Sequence, residues 1–277
     1  ENELKSLFYI IKEERVMDFS LSKEHKLLQE MYRKFAENEV KPLAQEIDEE
    51  ERFPRENIGK LARYGFFGIP YPKEYEGQGG DYLAYIMAVE ELAKVCATTA
   101  TIVAAHATLG VFPIYQYGTE EQKKKYLPDL LSGRKLGAFA LTEPGAGSDS
   151  SMQQTKAVKD GDNYILNGTK CFITNAGEAD IYIVSTMTDK SKGNHGISTF
   201  IVEKGTPGFS FGKHEKKMGI RGSATADLIF ENAVVPAANM LGQEGQGFKI
   251  MMSTLDAGRI SIGAVATGIA EGAYDIC

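Results

Sequence analysis

The sequence predicts an α+β fold: an N-terminal α-helical domain, a central β-domain, and then the start of a truncated C-terminal helical bundle. Three observations carry this. Helical apolar spacing dominates up to about Lys135. Short β-rich runs punctuated by Gly, Asn and Asp then replace it, and helix returns at about Gly247. No βαβ alternation is present, which argues against a doubly wound parallel sheet.

The elements follow in order. Residues 22–50 read as helix. Ser22 can cap it, Glu24 suits the positive N-terminus, and Leu27, Leu28, Met31, Phe35 and Val40 form an apolar stripe. A shorter helix is entered through Pro54. The YPKEYEGQGGD segment is a loop, and its Gly77-x-Gly79-Gly80 follows no strand, so it is a poor dinucleotide fingerprint. Asp81 to about Leu109 suits one buried, Ala-rich helix. Thr119-x-x-Gln122 is a capping box opening the next. The runs KLGAFALTE, QTKAVKDGDNYILNG, KCFITNA, DIYIVSTMT, GISTFIVEK, GFSFGK and ADLIFENAVVP supply the strands. These runs divide the chain into 1–16, 17–134 (helical), 135–242 (β) and 243–277 (first helix of a further domain).

With 43% hydrophobic and 25% charged residues, the composition is that of an ordinary globular protein. The net charge of −7 argues against a nucleic-acid partner, and Lys123-Lys124-Lys125 reads as a solvated helix face. No apolar run reads as long enough to cross a bilayer, so no membrane partner is expected. Cys96, Cys171 and Cys277 form no C-x-x-C, and the four histidines show no ligand spacing, so no metal site is expected. A reducing, bacterial cytoplasmic location is the simplest expectation.

Both ends are abrupt. The segment ENELKSLFYIIKEERV precedes Met17 and has no signal-peptide or transit-peptide character. It is expected to be a non-native leader, translated from upstream sequence, or a disordered extension. The last helix shows no stop signal before Cys277, so the chain is expected to be a fragment.

The segment carrying most chemistry is LTEPGAGSD, Leu141 to Asp149, running straight off a strand. It matches neither G-x-G-x-x-G nor G-x-x-x-x-G-K-[ST]. From spacing alone it reads equally as a tight turn or as a ligand loop.

The wider pattern resembles the acyl-CoA dehydrogenase family, in its bacterial short-chain, butyryl-CoA branch. The resemblance rests on LTEPGAGSD, LNGTKCFITNAGEADIYIV, KMGIRGSATADLIFENAVVP and NMLGQEGQGFKIMMSTLDAGRI, with support from KEYEGQGGD and GTEEQKKKYLP. It implies FAD as cofactor and a short-chain acyl-CoA as substrate. The implied reaction is α,β-dehydrogenation to a trans-2-enoyl-CoA, with electrons passed to an electron-transfer flavoprotein. It also implies a homotetramer for a full-length protein. Alternatives are a relative reoxidised by oxygen, or a non-catalytic flavin- and acyl-CoA-binding homologue.

Carried over residue by residue, the resemblance puts Phe139, Leu141 and Thr142 against the flavin ring. Gly147 and Ser148 approach the pyrophosphate, and Ser148 also touches the acyl-CoA. Phe172, Ile173 and Thr174 form the second flavin-binding strand, with Phe172 where many relatives carry Trp. On the residues alone, these apolar positions read equally well as strand core. Asp256 and Arg259 are implied to contact the CoA portion; without the resemblance they read as a surface ion pair. Arg221 reads as structural. No catalytic residue is expected in the chain. Gly258 occupies one family position for the base, and the short-chain branch carries a Glu in a C-terminal motif that does not occur here. The chain alone is therefore expected to show little dehydrogenase activity, and its last helix to expose an apolar face.

Overall fold

The structure is a computed structural model that describes residues 18–277. The leader expectation for residues 1–16 lies outside the described residues. The helical part comprises α1 (Lys23–Phe35), α2 (Lys41–Glu49), α3 (Arg55–Arg63), α4 (Tyr82–Val95), α5 (Ala97–Ala104), α6 (Phe112–Tyr117) and α7 (Glu120–Leu131). Ser22 caps α1, its Oγ accepting from the His25 N–H at 3.1 Å, and Asp81 caps α4 in the same way. The Thr119/Gln122 capping box is formed.

Two π-helical turns interrupt the regular helix, at Ala36–Val40 and Ala105–Val111. In each, the next residue donates five residues back: Lys41 N–H to Ala36 O, and Phe112 N–H to Ala107 O. Each is followed by a proline, Pro42 or Pro113. A proline ring clashes with the carbonyl four residues earlier, and widening the preceding turn relieves that clash without ending the helix.

The single helix expected from Asp81 to about Leu109 is two helices. Cys96 adopts an extended conformation (φ −154°, ψ 93°) and breaks it. The apolar composition on both sides concealed this, because a break inside a buried segment leaves hydrophobicity unchanged. The membrane expectation also needs correction. Ala97–Tyr117 is long and apolar enough by length and composition to cross a bilayer. Its window is 72% buried within the fold, as befits a core helix.

The β-part is an eight-stranded sheet: β1 (Gly137–Ala140), β2 (Lys156–Asp160), β3 (Asn163–Thr174), β4 (Ile181–Met187), β5 (Ile197–Glu203), β6 (Phe209–His214), β7 (Thr225–Pro236) and β8 (Met240–Leu241). The order is β6-β7-β3-β2-β4-β5-β8, with β1 lying parallel to β4. The final helix α8 (Gly247–Tyr274) packs back onto α4, α5 and the second π turn. It leaves Ile260, Ile262 and Ile269 exposed, so the expected apolar face is present.

The two halves meet at a close backbone contact. A Cβ on Gly110 would lie 2.8 Å from the Gly137 backbone, so the second π turn sits directly on β1. Fully buried His106 locks this contact: Nδ1 accepts from the Gly137 N–H at 2.9 Å and Nε2 donates to Leu130 O at 3.1 Å. Arg221 adds a peripheral tie. Its N–H and Nε both donate to Asp48, at 3.0 and 3.2 Å, confirming a structural role.

Burial lowers the His106 pKa to about 4, outweighing the Leu130 carbonyl. The unfolded chain therefore binds the extra proton first. The associated stability is fully present above the ordinary pKa of 6.5 and is lost as pH falls toward 4. Urea unfolding across this window should show a decline of up to about 3 kcal/mol from this group, and His106→Gln should flatten it. An unchanged slope in the variant would refute the assignment.

Candidate flavin and acyl-CoA site

The loop after β1 is built around a buried ion pair. Lys170 of β3 is fully buried, and its Nζ donates to Glu143 Oε1 at 2.8 Å. The same ammonium lies 3.0 Å from Leu141 O and 3.2 Å from both Gln153 Oε1 and Ser185 Oγ. Glu143 in turn accepts from the N–H groups of Gln154 and Thr155, at 2.5 and 3.0 Å. Thr142 O accepts from the Cys171 N–H at 2.9 Å, and Glu143 and Ala146 exchange backbone hydrogen bonds across the turn.

The start of the LTEPGAGSD loop is thus tied to β3, and Glu143 ties it to the segment beyond the loop's end, while the stretch between faces outward. Gly147, Ser148 and Asp149 are exposed, and a Cβ built on Gly145 or Gly147 meets nothing within 4 Å. Burial pulls the Lys170 pKa down to about 8 against the opposing pull of Glu143. Burial alone would raise the Glu143 carboxyl, but the Lys170 charge and the N–H donors outweigh it and hold it below its usual range. Glu143 thus adds stability above its ordinary pKa of 4.5 that is lost only as pH falls below it.

The neighbouring segment of β3 carries a bulge. Pairing with β7 shifts register between Lys170 and Ile173, and Phe172 between them has φ +59°. A left-handed aromatic residue is an uncommon and strained conformation. The bulge turns Phe172 outward, 64% exposed, while Cys171 and Ile173 stay buried. Ile173 packs in the core, so only its backbone can face a ligand. Ile220 (φ +52°), another of the left-handed non-glycine residues, lines the same cavity as Phe172.

Two cavities meet at this point. One, of about 420 Å³, is bounded by Phe172, Thr174, Lys217 and Ile220. The other, of about 320 Å³, lies between α5, the second π turn and α8, and is lined by Ala104, Ala105, Leu109, Leu255 and Ile262. Thr101 and Thr174 border both. The Thr101 hydroxyl oxygen is buried and has no hydrogen-bond partner among the described residues.

The predicted site residues divide accordingly. Thr174, Gly258 and Arg259 line the second cavity, with Arg259 exposed. Asp256 is exposed on α8 and does not line that cavity. Neither Asp256 nor Arg259 makes an ion pair among the described residues, so the surface-pair reading finds no support. A Cβ on Gly258 would approach Leu109 Cδ2 to 2.7 Å. A larger residue there would have to displace Leu109. Phe139 and Thr142 are half-buried and Leu141 is buried, all beside β3. The sequence reading missed the Lys170–Glu143 pair, Thr101 and Ile220. Among the described residues no cluster of three or more His, Cys, Asp or Glu is placed to hold a metal ion.

Residues 22–134 match the acyl-CoA dehydrogenase N-terminal domain and residues 138–233 match the acyl-CoA dehydrogenase middle domain. The chain belongs to the acyl-CoA dehydrogenase family. This is a family of FAD-dependent oxidoreductases. A short-chain-specific acyl-CoA dehydrogenase from Clostridium acetobutylicum is 59% identical over 259 residues, covering 94% of this chain and 68% of that protein. The solved butyryl-CoA dehydrogenase of Megasphaera elsdenii has a TM-score of 0.90 at 52% identity, covering 93% of this chain and 68% of its own. A chain solved in work on the electron transferring flavoprotein of Acidaminococcus fermentans has a TM-score of 0.91 at 55% identity, with the same coverage. As in other acyl-CoA dehydrogenases, this chain combines the helical domain, the central sheet and a following helix.

Two outcomes are expected. Lys170→Met leaves Glu143 buried without its counter-charge and should cost about 3–5 kcal/mol in urea unfolding. Phe172→Gly relieves the left-handed strain at an exposed position and should stabilise the protein by about 1 kcal/mol. A stability loss in the glycine variant would show that the aromatic ring contributes more by packing than its conformation costs.

Proposed function

We propose that this chain forms the flavin and acyl-CoA sites of an enzyme that dehydrogenates short-chain acyl-CoA to trans-2-enoyl-CoA and hands electrons to an electron-transfer flavoprotein. The observation that carries this reading is the junction at Thr101 and Thr174. There, a cavity faced by a strained aromatic residue opens onto an apolar cavity between helices.

FAD fits the residues present. The open glycines beside Ser148 let the backbone approach a pyrophosphate, and the exposed Phe172 offers a face to a flat ring. When bound, FAD supplies the acceptor for the substrate β-hydride. The protein's part is placement. Phe139, Leu141, Thr142, Ile173 and Phe172 bound the ring, with Thr142 and Thr174 offering hydroxyls to its polar edge. Gly147 and Ser148 face the phosphates. Arg259 at the cavity rim, and Asp256 beyond it, meet the CoA portion. The apolar walls of the second cavity take the acyl chain and exclude water.

The reaction also needs a base at the substrate α-carbon. Among the described residues, none of those lining the apolar cavity is Asp or Glu. Gly258 offers no carboxylate, and Asp256 is directed elsewhere. The chain therefore binds and orients but does not itself remove the α-proton. This same observation favours a second reading, a homologue that binds flavin and acyl-CoA without catalysis.

Organisation into parts 17–134, 135–242 and 243–277, assembly as a homotetramer in a full-length protein, and a cytoplasmic bacterial setting complete the proposal. The exposed isoleucines of α8 supply an apolar face for such assembly.

The test is anaerobic titration of the FAD-loaded chain with butyryl-CoA. The flavin spectrum should perturb on binding, with little bleaching and little crotonyl-CoA formed. Phe172→Ala and Thr174→Val should each weaken FAD binding by about 10-fold, equivalent to about 1.4 kcal/mol. Failure to bind FAD would refute the flavin assignment, and rapid full bleaching would refute the missing base.

A further inference from the structure

β1 pairs with β4 and with no other described strand. Leu136, just before it, turns its carbonyl to β4 and accepts from the Asp180 and Ile181 N–H groups at 2.9 and 3.1 Å. Gly137, one residue on, presents its N–H and its C=O to the opposite edge, where two side chains replace a strand. The N–H donates to His106 Nδ1 at 2.9 Å, and the carbonyl accepts from Asn175 Nδ2 at 3.2 Å. Gly137 is buried, so without these side chains its backbone groups would lack partners.

The two side chains come from the walls of different cavities. His106 belongs to the second π turn, whose Ala105 and Leu109 line the apolar cavity. Asn175 directly follows Thr174, which borders both cavities. Its N–H donates at 2.8 Å to Ala224 O, and Ala224 stands between Ser223 and Thr225 of the Phe172 cavity. The Asn175 carbonyl accepts from the Glu178 and Ala179 N–H groups at 3.1 and 2.8 Å. Asn175 is fully buried with φ +65°, a conformation that asparagine tolerates better than most residues. Aiming Nδ2 at Gly137 leaves its Oδ1 buried with no partner among the described residues, which costs stability. An apolar side chain would avoid that cost but would leave the Gly137 carbonyl unheld.

We propose that His106 and Asn175 are positioning residues: through Gly137 they join the wall of the acyl cavity to the wall of the flavin-side cavity, so that a ligand in either one strengthens binding in the other. The inference rests on the reading of these cavities as the acyl and flavin sites. A bound acyl chain fixes the π turn. His106 passes that restraint to Gly137, and Asn175 passes it to Thr174 and Ala224. The flavin-side wall is then already ordered when its ligand arrives, which raises affinity without any new contact. The coupling must work equally in both directions.

The experiment measures FAD affinity by calorimetry with and without saturating butyryl-CoA. In the wild type, butyryl-CoA should tighten FAD binding by about 10-fold. Two substitutions of His106 separate its two hydrogen bonds. His106→Asn keeps an acceptor near the Nδ1 position, toward Gly137, and loses the bond to Leu130. His106→Gln keeps a donor near the Nε2 position, toward Leu130, and loses the bond to Gly137. A merely structural histidine would respond alike to both. The tightening should stay within about 3-fold of wild type in His106→Asn and fall to about 2-fold in His106→Gln, the remainder coming from direct contact between the ligands. Asn175→Gly permits the left-handed backbone, removes the amide, and should also fall to about 2-fold. Wild-type tightening in folded His106→Gln and Asn175→Gly overturns the proposal, as does equal loss in His106→Asn and His106→Gln. Hydrogen exchange on the wild-type chain needs no variant. Butyryl-CoA alone, without FAD, should slow exchange at the Gly137 and Asn175 N–H groups, and neither residue lines a cavity where the ligand could shield it directly. Unchanged exchange at both overturns the proposal. A wild-type chain that binds neither FAD nor butyryl-CoA overturns the reading of the cavities themselves, which separates the two failures.

Discussion

The pairing of Lys170 with Glu143 is the constraint on which the candidate site depends. A buried ammonium cannot remain charged without partners. It recruits the Leu141 carbonyl, the Gln153 amide and the Ser185 hydroxyl, so the start of the LTEPGAGSD loop is held to β3. Glu143 binds the far side of the loop through the Gln154 and Thr155 N–H groups. Only the stretch between these anchors is released outward, and that stretch carries Gly147 and Ser148. A glycine-rich segment would otherwise sample many conformations. Here the sequence keeps glycine where close approach is useful, and fixes the loop by charge at positions away from it.

A second layer of order comes from the helical half. His106 and the Gly110–Gly137 contact place the π turn on β1. Because the same turn lines the apolar cavity, the position of that cavity relative to β3 follows from a buried imidazole and two missing side chains. Thr101 and Thr174 then come to stand at one boundary although they lie on different elements. Neither half could form the junction alone.

The architecture was largely legible because it rests on periodicity and punctuation. The capping box at Thr119, the cap at Ser22 and the return of helix at Gly247 are local signals, and all three are where the residues indicate. The break at Cys96 was not legible, since Ala, Thr and Val on either side are equally at home in a continuous buried helix. Of the site, Thr174, Gly258 and Arg259 come together at one cavity, each identified from a family pattern rather than from spacing. The Ile173 side chain packs inward and leaves only its backbone toward the candidate site, while the bulge that turns Phe172 out depends on pairing with a strand more than fifty residues away. Lys170 was passed over for a related reason. A lysine on a strand normally faces water, and only the long-range packing of β1, β3 and β4 encloses this one.

The second π turn has a consequence for how this protein can vary. Such a turn holds one residue more than the regular helix needs. Everything beyond it is rotated by about 100° relative to an uninterrupted helix. Thr101 and Ala104 therefore answer to one rotational phase, and Phe112 onward to another. Losing or gaining a residue at this turn would re-phase the cavity wall, but the turn also carries His106 and Gly110, so the same change would shift the contact on β1. The shape of the chamber and the joint between the two halves are therefore bound to one another.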